Sequence, residues 1–273
     1  KALKPATPEG GMPQGIETGC EPLGITQNGW QDGKVGHGTM PAFSDPSDRE
    51  PSVQWPLPPD GAWLPDGGRP VDGQPGHPPL RLGVMASGSG SNFEALVQAC
   101  RGGNLHAEVA LLVVNNAGCG AQQRAERLGI PWQVHDHRTQ PSRERLDLAL
   151  VTAFRAAAVD LVVMAGWMRV VTPTLISAFA ERLVNIHPSL LPSFRGLDAV
   201  GQALAAGVTL TGCTAHLVCE EVDAGRILVQ AAVPVLSNDD HASLSARTRR
   251  QEHRILPLAV AVALTAKRLA DQG

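Results

Sequence analysis

The sequence lacks features that would place the chain in two common classes of protein. It contains no run of about 18 apolar residues, the length that a membrane-spanning helix requires. Its formal net charge of −3 and its pI near 6.3 provide no general positive field for nucleic acid. We therefore expect neither a membrane nor a nucleic acid among its partners.

Cysteine is scarce, and its spacing argues against two kinds of site. The five cysteines form no CxxC pair and no zinc-type set with histidine. Their odd number and wide spacing are typical of reduced thiols in the cytosol. We therefore expect a cytoplasmic protein without a bound metal.

The first 79 residues lack any periodic apolar segment. They hold 15 of the 22 prolines and 14 of the 29 glycines, and their ten acidic and five basic residues give a net charge of −5. Such a segment buries too little apolar surface to offset the entropy that is lost on ordering. We expect residues 1–79 to be a disordered Pro/Gly-rich extension without a function of its own, and residues 80–273 to form one folded domain.

From Leu80 onward, short apolar segments alternate with amphipathic ones. This alternation predicts an α/β fold, in which a mostly parallel, Rossmann-like sheet carries helices on both faces. Two longer C-terminal strands, about 209–220 and 227–236, are expected to extend the sheet. The last helix, about 241–269, is expected to be interrupted at Pro257.

A glycine-rich turn, GSGSN, separates the first predicted strand from the first helix. Glycine lets the backbone approach a ligand, and the N–H groups at a helix start attract an anion. A dinucleotide site would need a third glycine where Phe93 stands, and an acid where Asn115 stands. The turn therefore favours a phosphate on Gly90, Ser91 and Asn92. The alternative is a tight turn in which Ser91 or Asn92 only caps the helix.

Asn185 and His187 stand two residues apart at the end of a predicted strand, just before a proline-rich segment. Because side chains alternate along a strand, the two should point to the same side. An amide donor beside an imidazole can hold an oxyanion and deliver a proton. The residues alone leave open a second interpretation, in which these polar groups only hold the following loop in place.

Six motifs together resemble the glycinamide ribonucleotide formyltransferases, the folate-dependent enzymes of purine synthesis. The resemblance covers about residues 81–273, which would make residues 80–273 the formyltransferase catalytic domain. The central motif is highly specific for folate-dependent formyl transfer, and the first and last motifs narrow the resemblance to the ribonucleotide enzyme. The motifs are GSGSN (88–92), AGWMRV (165–170), NIHPSLLPSFRG (185–196), TGCTAHLV (211–218), VDAG (222–225) and QEHRILP (251–257).

By this resemblance, three residues carry out the chemistry. His187 would be the catalytic imidazole, Asn185 would help it to stabilise an oxyanion, and Asp223 would be the carboxylate that tunes the ring. The reaction implied is attack by the amine of N1-(5-phosphoribosyl)glycinamide on the formyl carbon of the co-substrate 10-formyltetrahydrofolate, without a metal. Without the resemblance, Asp223 in its Asp-Ala-Gly sequence would be interpreted as a turn residue.

The resemblance also implies where the two substrates bind. The ribonucleotide phosphate falls on the glycine-rich turn, and Glu252 matches a residue that holds the ribose side. Taken alone, Arg143 and Glu252 would be interpreted as surface charges, and Met168 as a core residue. The folate falls near Arg143, Met168, Arg169, Val170, Val171 and Asn185.

The chain departs from related sequences in the helix after the proline-rich segment. Val200 and Gly201 stand where a histidine and a polar residue are familiar, which puts in doubt a secondary contact to the phosphate. Two other functions stay open, a formyltetrahydrofolate deformylase and a non-catalytic folate- or nucleotide-binding module. A deformylase would normally carry a regulatory domain ahead of the catalytic one, and residues 1–79 lack the pattern for it. The residues leave the oligomeric state open, a homodimer included.

Overall fold

Strands and helices alternate along residues 78–271, which are the residues that the computed structural model describes. The strands are β1 (Leu80–Ala86), β2 (Ala107–Val114), β3 (Trp132–Val134), β4 (Leu161–Met164), β5 (Leu183–His187), β6 (Leu210–Leu217) and β7 (Ile227–Pro234). The helices are α1 (Ser91–Arg101), α2 (Gly120–Leu128), α3 (Arg143–Ala156), α4 (Pro173–Ala178), α5 (Ala199–Ala205) and α6 (His241–Asp271), with a short 3-10 helix at His137–Thr139. The predicted extension at residues 1–79 lies outside the described residues, apart from its last two.

The strands form one sheet in the order β3-β2-β1-β4-β5-β6-β7. The first five strands are parallel to one another, whereas β6 pairs antiparallel with β5, and β7 with β6. The prediction of a mostly parallel sheet with longer C-terminal strands is therefore confirmed. Short apolar strands alternating with helices give this arrangement because a parallel pair needs a crossover, which the helices supply.

Helices cover both faces of the sheet, and β1 is buried between them. Leu82 and Val84 face a core formed with α1, α2 and α6, whereas Met85 faces a second core formed with α3 and α4. Burial on both sides explains why β4, and β1 from Leu82 onward, carry no polar alternation.

The last helix is continuous, so the predicted interruption at Pro257 is wrong. α6 runs for 31 residues with Pro257 inside it. A proline in a helix interior removes one hydrogen bond and costs about 3 kcal/mol or more. Full burial of a large aliphatic side chain stabilises a fold by about 1.5–3 kcal/mol, so the buried neighbours of the proline together outweigh that cost. These neighbours, which pack on the sheet, are Ile255, Leu256, Ala259 and Val260.

The topology also determines where a ligand can bind. The strand order reverses between β1 and β4, because the chain runs outward from β1 in one direction and from β4 in the other. In open α/β sheets, ligands bind in the crevice at the carboxyl ends of the strands, at such a reversal. The loops that follow β1 and β4 and the end of β5 therefore border one crevice.

Candidate active site

A cleft of about 800 Å³ opens at the carboxyl ends of β1, β4 and β5. Arg143, the first residue of α3, is exposed and does not line it, so the structure does not bring this residue to the others. The remaining predicted site residues all border the cleft. They are Gly90, Ser91, Asn92, Met168, Arg169, Val170, Val171, Asn185, His187, Asp223 and Glu252.

The Asp223 carboxylate contacts both polar residues of β5. Its Oδ2 lies 3.3 Å from Nδ1 of His187. Its Oδ1 accepts a long hydrogen bond from Nδ2 of Asn185, at 3.5 Å. Since one carboxylate reaches both side chains, the predicted placement of Asn185 and His187 on the same side of the strand is confirmed.

Asp223 is held in an ionised state by its surroundings. Burial acts most strongly on the pKa of Asp223 and tends to raise it. The nearby His216 ring, the backbone N–H of Gly196 at 2.9 Å and the charge of His187 act in the opposite sense and outweigh burial. The pKa therefore lies below its ordinary value, and the carboxylate is negatively charged at neutral pH.

The His187 ring is fixed between two acceptors. Only 5% of His187 is exposed, and its Nε2 lies 2.8 Å from the carbonyl oxygen of Phe194. The other ring nitrogen, Nδ1, faces Asp223. The ring therefore has an acceptor beside each of its nitrogens, one a backbone carbonyl and the other a carboxylate.

His216 belongs to this cluster, although its motif alone gave it no role. It lies on β6 opposite Asn185 and is 2% exposed. Its Nε2 lies 3.2 Å from Nδ2 of Asn185 and 3.6 Å from Oδ1 of Asp223. The signal in the sequence was the TGCTAHLV motif, but only the antiparallel register of β5 and β6 shows which residue its histidine meets.

The glycine-rich turn places a helix start against the cleft. The N-cap of α1 is Gly90, with a φ of 77°, and no side chain caps the helix. The alternative in which Ser91 or Asn92 caps α1 is therefore wrong. A Cβ atom on Gly90 would lie 2.5 Å from Cα of Ala121, so this position requires glycine for space as well as for backbone conformation. The positive end of the α1 dipole is thereby open to an anion in the cleft.

Asn92 and Glu252 connect α1 to α6 across the cleft wall. Nδ2 of Asn92 donates to Oε2 of Glu252 at 2.8 Å. Burial raises the pKa of Glu252, and the hydrogen bond from Asn92 and the charges of Arg249 and His187 only partly oppose this. Arg249 also lines the cleft, where its charge acts on Glu252.

Several buried polar atoms in the cleft wall have no partner within the described part of the chain. Unsatisfied buried polar atoms are uncommon in proteins, and a ligand or water can satisfy them. Their clustering in one cleft therefore indicates a binding site. The atoms are Oδ1 of Asn92, Oδ1 of Asn115, Nε1 of Trp167 and Oγ1 of Thr248.

The loop after β4 offers both apolar surface and backbone donors. Met168 and Val170 are 71% and 52% exposed. Met168 is therefore not the core residue that a methionine at this position would indicate by itself. The backbone N–H groups of residues 169–171 make no hydrogen bond within residues 78–271. A flat heterocycle with polar edges fits such a combination of apolar side chains and open donors.

The unusual residues of α5 have a structural explanation. Val200 is buried and packs with Val233 and Leu244, so it joins α5 to β7 and α6. The N–H of Gly201 donates to the Asp198 carboxylate, which caps the helix. A core residue therefore occupies the position at which the resemblance implied a histidine.

Residues 78–271 contain neither a cluster suited to a metal ion nor a helix suited to a membrane. No group of three or more His, Cys, Asp or Glu side chains there is arranged to hold a metal ion. No helix in that part of the chain combines the length and apolar character needed to cross a membrane.

Known proteins are similar to this chain in both sequence and fold. The model of the formyl transferase family matches residues 80–260. The chain therefore belongs to the formyl transferase family. A solved structure, glycinamide ribonucleotide transformylase 1 from Symbiobacterium toebii, is 44% identical with a TM-score of 0.66, and the match covers 67% of this chain and 86% of that one.

Two curated relatives differ in how much of their length is matched. The phosphoribosylglycinamide formyltransferase of Haemophilus influenzae is 38% identical over 180 residues, which are 66% of this chain and 85% of that protein. The trifunctional purine biosynthetic protein adenosine-3 of Homo sapiens is 42% identical over 180 residues, again 66% of this chain. The match spans only 18% of the length of the human protein.

Proposed function

We propose that the chain transfers the formyl group of 10-formyltetrahydrofolate to the amine of N1-(5-phosphoribosyl)glycinamide in purine biosynthesis. The products are the formylglycinamide ribonucleotide and tetrahydrofolate. The observation that carries the proposal is the cluster of Asn185, His187 and Asp223, which shares one cleft with an open helix start. Relatives that bear the name of this activity support it.

The ribonucleotide would bind at the α1 side of the cleft. Its phosphate would accept hydrogen bonds from the backbone at Gly90, Ser91 and Asn92, where the helix dipole favours negative charge. Arg249 would add a second positive group near the phosphate. Glu252, held by Asn92, would accept hydrogen bonds from the ribose side.

The folate would occupy the opposite wall. Its heterocycle would lie on the loop formed by Met168, Arg169, Val170 and Val171, whose backbone donors and apolar side chains suit a flat polar ring. Asn185 would lie at the inner end, next to the formyl group. Arg143 does not line the cleft, so we assign it to the anionic tail of the folate, outside the cleft.

The reaction would use the cluster as follows. The substrate amine attacks the formyl carbon, and negative charge develops on the formyl oxygen. Asn185 would release its long 3.5 Å contact with Asp223, and the protonated His187 ring would turn its Nε2–H away from the carbonyl of Phe194, so that both donate to that oxygen. Removing one such donor typically costs about 2.7–4 kcal/mol of barrier. Asp223 would accept the proton that leaves the amine, directly or through water, and His187 would supply one to the departing folate nitrogen.

The remaining features of the protein follow from this proposal. Residues 80–273 would form the catalytic domain, in agreement with a family match that begins at residue 80, and residues 1–79 would be an extension. We place the reaction in the cytoplasm because the four cysteines of the described residues are free thiols. For the assembly of the chain, we propose a homodimer.

One assay separates this function from its alternatives. Tetrahydrofolate formation from 10-formyltetrahydrofolate should depend on added ribonucleotide. A deformylase would release formate and tetrahydrofolate without the ribonucleotide. A binding module would bind both ligands and form neither product.

A further inference from the structure

A buried carboxylate outside the cleft makes two short hydrogen bonds to the loop after β4. Asp147 lies on α3 and is 2% exposed. Its Oδ2 accepts from the backbone N–H of Thr172 at 2.6 Å and from the hydroxyl of Thr172 at 2.7 Å. Aspartate is rarely buried to this degree unless it is paired, so the contact calls for an explanation.

Thr172 is the residue at which the loop Met168–Val171 ends and α4 begins. The other end of that loop is attached to Ser87, whose Oγ accepts from the N–H of Met168 at 2.9 Å and whose N–H donates to the carbonyl of Gly166 at 3.0 Å. The loop is therefore held at both ends. The segment between the two attachments carries the open N–H groups and the exposed Met168 and Val170.

Stability alone is a poor explanation of this contact. Thr172 is the N-cap of α4, but its side chain makes no capping hydrogen bond, and its hydroxyl donates to Asp147 instead. Burial raises the pKa of Asp147, and the two bonds from Thr172 only partly oppose it. A buried charge often stabilises a fold no better than an apolar residue of the same size would. What the contact does provide is a fixed position for one end of the loop.

We propose that Asp147 is a positioning residue that holds the loop Met168–Val171 in the conformation that binds the formyl donor. Asp147 does not line the cleft, so it acts through Thr172. The identity of the ligand, 10-formyltetrahydrofolate, rests on the proposed function. The role of Asp147 in positioning the loop does not rest on that function. The loop position and the function are therefore tested separately.

The test compares two variants of Asp147 with a matched control. Asp147→Ala removes the acceptor, whereas Asp147→Asn keeps an acceptor oxygen. Asp160→Ala is the control, because Oδ2 of Asp160 also accepts a backbone N–H, that of Arg81 at 2.9 Å, but at the opposite end of β4. The measurements are hydrogen exchange at the Thr172 amide, and calorimetric binding of 10-formyl-5,8-dideazafolate and of inorganic phosphate.

Asp147→Ala should accelerate exchange at Thr172 and weaken binding of the folate analogue by about tenfold or more, since a tenfold change corresponds to about 1.4 kcal/mol. Phosphate binding should not change, because the α1 start is held by other contacts. Asp147→Asn should recover part of the affinity, and Asp160→Ala should leave it unchanged. If Asp147→Ala does not fold, Thr172→Val, which removes only the hydroxyl bond, should show a smaller loss in the same direction.

Three results would overturn the proposal. The first is wild-type affinity for the analogue in both Asp147→Ala and Thr172→Val. The second is an equal loss of analogue and phosphate binding, which indicates general destabilisation. The third is a wild-type chain that does not bind the analogue. A wild-type chain that binds the analogue but transfers no formyl group contradicts only the proposed function.

Discussion

Oδ2 of Asp223 lies 3.3 Å from Nδ1 of His187, although the two residues belong to different elements of the fold. His187 ends the parallel strand β5, whereas Asp223 lies in the turn that follows the antiparallel strand β6. The backbone of Asp223 has a φ of 53°, in the left-handed region that non-glycine residues rarely adopt. Such conformations cost of order 1–3 kcal/mol and tend to occur at functional sites.

The first prediction concerns this pair. His187→Ala and Asp223→Asn should each lower kcat for formyl transfer by about 100- to 1,000-fold, because each removes a group that handles charge or a proton in the transition state. The KM values should change little, since neither group is assigned to ground-state binding. Steady-state kinetics with both substrates provide the measurement. His135→Ala, a half-buried histidine outside the cleft, is the control, and full activity in either site variant would remove that residue from the mechanism.

The second prediction is a dependence of stability on pH. The pKa of Asp223 is lowered from its ordinary value of 3.8, so the ionised carboxylate stabilises the folded chain. This contribution is fully present above pH 3.8 and is lost as the pH falls through the lowered pKa. Urea unfolding of the wild type and of Asp223→Asn should therefore show a difference in unfolding free energy that is present at pH 5 and shrinks below pH 4. A difference that grows on acidification would contradict this assignment.

The third prediction separates substrate binding from stability at Glu252. Glu252→Gln should raise the KM for the ribonucleotide by about tenfold, since hydrogen bonds to charged groups contribute about 1.5–3 kcal/mol. The pKa of Glu252 is raised from 4.5, so its ionised form costs stability at neutral pH. The variant should therefore unfold at a higher temperature than the wild type at pH 7, and this advantage should vanish below pH 4.5. Glu126→Gln, on an exposed residue of α2, is the control, and an unchanged KM would remove Glu252 from the site.

The fourth prediction compares two glycines of one turn. Gly90→Ala should lower the free energy of unfolding by about 1–3 kcal/mol and weaken ribonucleotide binding, because a Cβ there meets Ala121 and the backbone has a positive φ. Gly88→Ala should have a much smaller effect on stability, because a Cβ there meets nothing within 4 Å. Thermal unfolding and calorimetry provide both readouts. Equal effects of the two substitutions would contradict the assigned role of Gly90.

The alternation of apolar and amphipathic segments predicted the sheet and its parallel part. This was possible because the periods of strands and helices are local properties of the sequence. The continuity of α6 through Pro257 could not be predicted in this way. It depends on how much surface the flanking residues bury on the sheet, which is a tertiary property.

The candidate site likewise combines features that local sequence patterns predict with features that depend on tertiary contacts. The spacing of Asn185 and His187 predicted that they share one side of β5, since strand alternation is local. The contact of His216 with Asn185 depends on the register between β5 and β6, and the contact of Asn92 with Glu252 joins two helices that are far apart in the sequence. Contacts between residues so far apart in sequence leave no local pattern. Arg143, assigned by resemblance alone, is the predicted site residue that the cleft leaves outside.

The fate of a labelled formyl carbon tests the central claim most directly. The purified chain is incubated with 10-formyltetrahydrofolate carrying carbon-13 in its formyl group, together with glycinamide ribonucleotide, and the products are identified by mass spectrometry. The account predicts that the label appears in the formylated ribonucleotide, and that Asp223→Asn forms this product about 100- to 1,000-fold more slowly. Label recovered only as free formate, at a rate that does not depend on the ribonucleotide, would contradict it.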